Sequence, residues 1–129
     1  MNLHSLDHVN LRTENLKELV EWYCKILGLV EGNRPPFSFP GAWLYLGDKA
    51  VIHIVGIKEK LSTKEPKIEH FAFSASGLDS FIDRLEIQNI PFEAIRVPEY
   101  KIFQININDS DGNHIHIDFH SKEADALDL

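Results

Sequence analysis

Only one cysteine, Cys24, occurs in the 129 residues of this chain. A lone thiol excludes an internal disulfide framework and a thiol-rich metal site. Its place among apolar helix positions marks it as a packing residue. Basic residues are also scarce: 13 Lys and Arg stand against 20 Asp and Glu, for a formal charge of −7. With no basic cluster, neither nucleic acid nor an anionic membrane surface is an expected partner, and a small molecule is. Apolar runs all fall short of the roughly 20 residues needed to cross a bilayer. The opening MNLHSLDHVN lacks the basic-then-apolar pattern of a secretory signal, so a cytoplasmic location is expected. What is present is 43% hydrophobic residues, enough for the core of one domain.

The apolar positions are arranged as strands and helices in a recurring order. LDHVNLRT (6–13) alternates, with Val9 and Leu11 on one face and His8, Asn10 and Arg12 on the other. Asn15 is placed to cap a helix, and Glu18 three residues later resembles a capping box. Leu16, Leu19, Val20, Tyr23, Ile26 and Leu27 follow at helical spacing, and Gly28 stands where a helix commonly ends. A short strand near Leu29 to Arg34, the loop PPFSFPG (35–41) and two strands, AWLYLG (42–47) and AVIHIVG (50–56), complete the first half.

The second half repeats that order. Shifting the chain by 62 residues lays Leu6-Asp7-His8-Val9 over Ile68-Glu69-His70-Phe71, and Leu16, Leu19, Val20 and Tyr23 over Leu78, Phe81, Ile82 and Leu85. With one further residue inserted, VIHIV (51–55) lies over HIHID (114–118), so that His53 meets His116. A repeat of this period predicts two copies of one supersecondary unit. We expect one domain over residues 1–129: module 1 over about 1–57, a polar linker over 58–67, module 2 over about 68–121 and a C-terminal tail over 122–129.

Strand parity separates two faces. Ile52 and Ile54 alternate with His53, and Phe71 and Phe73 alternate with His70 and Ala72. In FQININ (103–108), Phe103, Ile105 and Ile107 oppose Gln104, Asn106 and Asn108. Bulky apolar side chains pack against the helices, which leaves histidines and amides on the open face. His8, His53, His70 and His116 therefore occupy two pairs of repeat-related positions, separated by 45 (53 − 8) and 46 (116 − 70) residues. Any one sheet histidine is commonly just a hydrogen-bonding residue, but four in a shared register predict a metal site, since imidazole binds zinc, nickel, iron and cobalt. His4, His114 and His120 lie outside the matched positions and are read as surface residues.

The segments LDHVNLRTENLKELVEWYCKILGL, IEHFAFSASGLDSFIDRL, AVIHIVG and DSDGNHIHIDF resemble the vicinal oxygen chelate superfamily, which includes glyoxalase I, bleomycin-binding proteins and extradiol dioxygenases. The resemblance covers nearly the whole chain. It implies an α+β glyoxalase-like fold of two βαβββ modules forming a cup-shaped mixed sheet, with a divalent metal held by the first and fourth strands of each module. Those ligand places fall on His8, His53, His70 and His116. It also implies a homodimer in which sites are shared between subunits, although a cup closed within one chain is also open.

This chain departs from the family at one point. Relatives usually keep a carboxylate at one or both fourth-strand positions, where His53 and His116 stand here. An all-imidazole set leaves the ion its full +2 charge, which strengthens it as a Lewis acid. The catalytic proton would then fall to a displaced histidine, His116, or to Asp118 on the same face. Asn10 and Arg12 follow His8 and suit a bound carboxylate, with a cross-strand ion pair as the plainer reading for Arg12. Trp43, Tyr45, Gln104 and Asn106 are candidate pocket residues, and core or interface packing is the alternative for the aromatic pair. The expected activity is a metal-dependent glyoxalase-like lyase or isomerase acting on a small substrate with neighbouring oxygens. A non-haem iron dioxygenase and an antibiotic-binding protein are the alternatives.

Overall fold

The computed structural model describes residues 1, 5–6, 8–60 and 70–129. The chain divides into two compact units, Met1–Thr63 and Lys64–Leu129. The division falls inside the segment read as a linker, of which residues 61–67 lie outside the described part, as does His4.

In the first unit, β1 (Val9–Thr13) leads into α1 (Leu16–Trp22), which continues as a wider π turn over Tyr23–Leu27. Three strands follow, β2 (Val30–Gly32), β3 (Gly41–Leu46) and β4 (Lys49–Gly56). The sheet order is β1-β4-β3-β2, with β1 parallel to β4 and the other pairs antiparallel. The parallel pair exists because the helix carries the chain back across one face before β4 returns. Leu19, Tyr23 and Ile26 from the helix are buried against Leu44, Ile52 and Ile54 from the sheet. Each such side chain contributes about 1.5–3 kcal/mol by leaving water.

The helix ends differ in how far they follow local signals. Gly28 takes the left-handed conformation at φ 73°, and its N–H donates to Tyr23 O, five residues back, which is what widens the last turn. The expected capping box does not form, because the Asn15 side chain makes no capping hydrogen bond. Instead the buried Thr13 Oγ1 accepts from the Asn15 N–H at 2.9 Å, so the hydroxyl at the end of β1 orients the start of α1.

The second unit has the same topology, so the two modules are repeats in structure as in sequence. Its elements are β5 (His70–Ser74), α2 (Leu78–Ile87), β6 (Glu93–Val97), β7 (Ile102–Asn108) and β8 (His114–His120), in sheet order β5-β8-β7-β6. Leu78, Phe81 and Leu85 of α2 are buried, as are Phe103, Ile105, Ile107, Ile115, Ile117 and Phe119 of the sheet. The residues read as a tail include a further helix, α3 (Ser121–Asp125), whose first turn is capped by His120 Nδ1 accepting from Lys122 N at 3.2 Å. Glu123 on α3 reaches back to the start of α2, where its Oε2 accepts from Gly77 N at 2.7 Å and Leu78 N at 2.9 Å. That supplies the N-terminal acceptor that Gly77 lacks.

Candidate metal centre

In both modules the first and last strands are neighbours, so side chains from distant sequence positions share one open face. In module 1 the register pairs Asn10 with His53 on β1 and β4, and Trp43 with His53 on β3 and β4. His8, one residue before β1, stacks on His53 with ring centroids 3.8 Å apart and planes 16° apart. Trp43 covers the opposite side of the same imidazole at 4.0 Å and 5°. His53 is thus held between two rings. The stack extends to Phe37, 6.4 Å from Trp43, and from there to Phe39 at 5.1 Å, with the Arg34 guanidinium about 5 Å from both phenyl rings.

The other candidates of module 1 are less closely engaged with the histidines. Asn10 and Arg12 share the face of His8 but are exposed. Tyr45 lies beside β2, paired with Val30. There its hydroxyl donates to Asn33 O at 2.6 Å, and its ring packs so closely on Gly32 that a Cβ would come within 2.8 Å. Tyr45 anchors the outer strand, and the structure does not bring it to His53.

In module 2, His70 and His116 repeat the stacked pair, with centroids 3.8 Å apart and planes 18° apart. A third imidazole joins them: β5 and β8 run parallel with His70 opposite His114 and Ala72 opposite His116. His114 meets His70 edge-on at 5.5 Å and His116 edge-on at 4.6 Å. One ring nitrogen from each of the three lies within 4.8 Å of the others. The repeat sets His114 aside, because its counterpart in module 1 is Val51. The cross-strand register is the signal that would have found it.

The remaining open-face residues form a hydrogen-bonded row. Gln104 Nε2 donates to Asp118 Oδ1 at 2.9 Å, Asn106 Nδ2 lies 3.5 Å from Gln104 Oε1, and Asn106 Oδ1 lies 3.2 Å from His114 Nε2. A recess beside His114 is lined by Pro91, Phe92, Glu93, Asn106 and Asn108. Glu93, directly opposite Asn106 in the register, places a carboxylate at its rim that the sequence reading did not select.

These donors fit a borderline divalent ion. Neutral imidazole nitrogens bind zinc and its neighbours at about 2.0–2.1 Å, and three of them with an open position make a reactive donor set. In each stacked pair the near-parallel planes aim the in-plane lone pairs side by side, so the rings must turn apart to converge on an ion. Such a turn about the soft outer torsion of histidine is inexpensive.

The sequence turn DSDGN before β8 is built on one side chain. Asp109 is buried; its Oδ1 accepts from the backbone N–H of Asp111 and Asn113 at 2.9 Å, and its Oδ2 from Asn113 Nδ2 at 2.8 Å. Gly112 supplies the left-handed residue at φ 86°. The turn sets the phase at which His114 and His116 enter the strand.

Comparison with known proteins agrees with this architecture. Glyoxylase I 4 of Arabidopsis thaliana is 31% identical over 125 residues, covering 91% of this chain and 71% of that protein. The glyoxylase/bleomycin resistance protein/dioxygenase domain from Frankia sp. EAN1pec superposes with a TM-score of 0.77 at 20% identity, covering 92% of this chain and 99% of that one. Lactoylglutathione lyase from Agrobacterium tumefaciens shares the fold with a TM-score of 0.69 at 18% identity, covering 92% and 96%. Residues 5–117 match the sequence model of one family, so the chain belongs to the Glyoxalase/Bleomycin resistance protein/Dioxygenase superfamily.

Proposed function

We propose that this protein is a metal-dependent glyoxalase-like lyase or isomerase acting on a small substrate that presents two neighbouring oxygens. The observation that carries this reading is the duplicated histidine pair. His8 with His53 and His70 with His116 have the same centroid separation, 3.8 Å, at equivalent places in two modules that otherwise differ in their open-face residues. These four residues are the proposed ligands of a zinc, nickel, iron or cobalt ion. When bound, such an ion supplies Lewis-acid polarisation of the substrate oxygens and stabilises an enolate. The likeness to Glyoxylase I 4 and to a lactoylglutathione lyase supports the choice of reaction class.

The chain's own side chains have separable tasks. Trp43 holds the face of His53 and, with Phe37, offers an apolar wall. Arg12, on the His8 face, is the proposed contact for a substrate carboxylate. His116, Asp118 and the rim carboxylate Glu93 are the candidate acceptors of the substrate proton, a transfer that requires hydrogen-bond reach to the acidic carbon's proton. The protein is proposed to work as a homodimer.

A second reading rests on the three-histidine group of module 2. Several neutral imidazoles with open positions also suit a non-haem iron oxygenase. One set of measurements divides these readings. Metal content is determined for the purified protein and for His8→Ala, His53→Ala, His70→Ala and His116→Ala. Isomerisation of hemithioacetals is then compared with oxygen consumption on catechols. Tight divalent metal lost in the variants, with hemithioacetal turnover, is the expected result. Absence of tight metal in the wild type rejects the proposal, and catechol-dependent oxygen uptake replaces it with the oxygenase. Binding of bleomycin-type compounds without metal or turnover would instead mark a binding protein.

A further inference from the structure

The polar row on the open face of module 2 has a direction, and its end sets it. Gln104 turns its NH2 toward Asp118 and donates to Oδ1 at 2.9 Å. The Gln104 oxygen then faces Asn106, which must answer with its own NH2 and so presents its oxygen to His114. An amide oxygen cannot donate. The hydrogen between Asn106 Oδ1 and His114, 3.2 Å apart, therefore resides on His114 Nε2, and in the neutral ring the lone pair is on Nδ1.

None of this is inherited from the repeat. In the matching register of module 1, Trp43 stands for Asn106, Gly41 for Gln104 and Val55 for Asp118, and Val51, two residues before His53, stands for His114. All four polar members belong to one module only, the one whose third imidazole lies within reach of the stacked pair. The recess beside His114 leaves room for an ion to approach and for a further coordination position.

We propose that module 2 carries a three-imidazole metal site, with His114 binding through Nδ1 beside His70 and His116, and with Asp118, Gln104 and Asn106 fixing its tautomer. The proposal rests on the metal-dependent reading above and extends it: the ligand set gains His114, and Asp118 becomes a positioning residue instead of a proton carrier. An acceptor behind a ligating histidine holds the ring in place and raises its basicity, and loss of such a partner commonly weakens metal affinity by about 10–100-fold.

The test uses the full chain and Co(II) alone as the probe, with affinity from titration and coordination from the visible absorption of the bound ion. His114→Ala is expected to weaken binding by at least about 10-fold and to alter the spectrum. Asn106→Leu, which removes the acceptor, should weaken it similarly, and Asn106→Asp, which keeps an acceptor facing His114, should restore it. In the metal-free wild type, ¹⁵N NMR of the imidazoles should show the Nε2–H form at His114. That measurement decides the matter even if a variant fails to fold, because an Nδ1–H form overturns the proposal. Wild-type affinity and spectrum in His114→Ala, with binding lost in His116→Ala, reject the third ligand and leave the metal-dependent function standing. A wild type that binds no Co(II) rejects both.

Discussion

Trp43 and Asn106 hold the same position in the two modules, each directly opposite the fourth-strand histidine of its own sheet, His53 and His116 respectively. One is the largest aromatic side chain and lies flat on its histidine; the other is a small amide that reaches diagonally to His114. One module thereby has an aromatic neighbour beside its histidine and the other a polar one. The repeat positions the ligand pairs, and the residues that break it distinguish the two pairs chemically.

The stack of Trp43 on His53 gives an optical handle. An open-shell ion such as Co(II) or Ni(II) bound at His53 lies close to the indole and should quench its emission. Trp22, on α1, remains as the second tryptophan and an internal reference. Titration of the wild type is expected to quench a large part of the fluorescence, and Trp43→Phe to leave the rest nearly insensitive. Quenching that persists in His53→Ala would place the ion elsewhere.

Much of this architecture was legible in the residues, and the exceptions have physical causes. Alternation in AVIHIVG and FQININ marks the buried isoleucines and the open-face polar residues, because strand parity is a property of the backbone alone. The histidine pairs followed from the repeat. His114 did not, because its partnership with His70 depends on cross-strand register, which single-strand periodicity does not contain. Asn15 was read as a cap from its type, yet the hydroxyl of Thr13 performs a related task from the end of the preceding strand. Tyr45 keeps strand parity with Trp43, yet its hydroxyl is engaged by Asn33 O beside β2, a contact that single-strand periodicity does not contain. The role of Glu123 is a contact across 45 residues and leaves no local signature.

The turn before β8 is predicted to be a point of structural sensitivity. Asp109→Ala removes the acceptor of two backbone N–H groups and one amide in a buried setting. A cost of about 2–4 kcal/mol is expected, since each buried donor left without its partner is destabilising by roughly 1–3 kcal/mol. Gly112→Ala at φ 86° should cost about 1 kcal/mol or more. Both are measured by urea unfolding. Asp109→Asn retains an oxygen acceptor and should fall between them and the wild type.

Glu123 ties the last helix to the start of α2. Replacement by Ala leaves the Gly77 and Leu78 N–H groups without this acceptor at a helix end that has no side-chain cap of its own. By analogy with the loss of an N-cap, about 0.5–2 kcal/mol of stability should be lost. Metal affinity should stay unchanged, because α3 contributes none of the imidazoles. A loss of metal binding in a folded Glu123→Ala protein would contradict the placement of the site.

Tyr45→Phe separates the two readings of that residue. If Tyr45 anchors β2, deletion of its hydroxyl removes one hydrogen bond to Asn33 O and should cost about 0.5–1.5 kcal/mol in unfolding experiments. The ring remains packed on Gly32, so the strand should stay in place. Metal affinity and the quenching of Trp43 should then match the wild type, and KM for the substrate turned over should not move. A raised KM with unchanged stability would show that the hydroxyl meets substrate, and would return Tyr45 to the pocket.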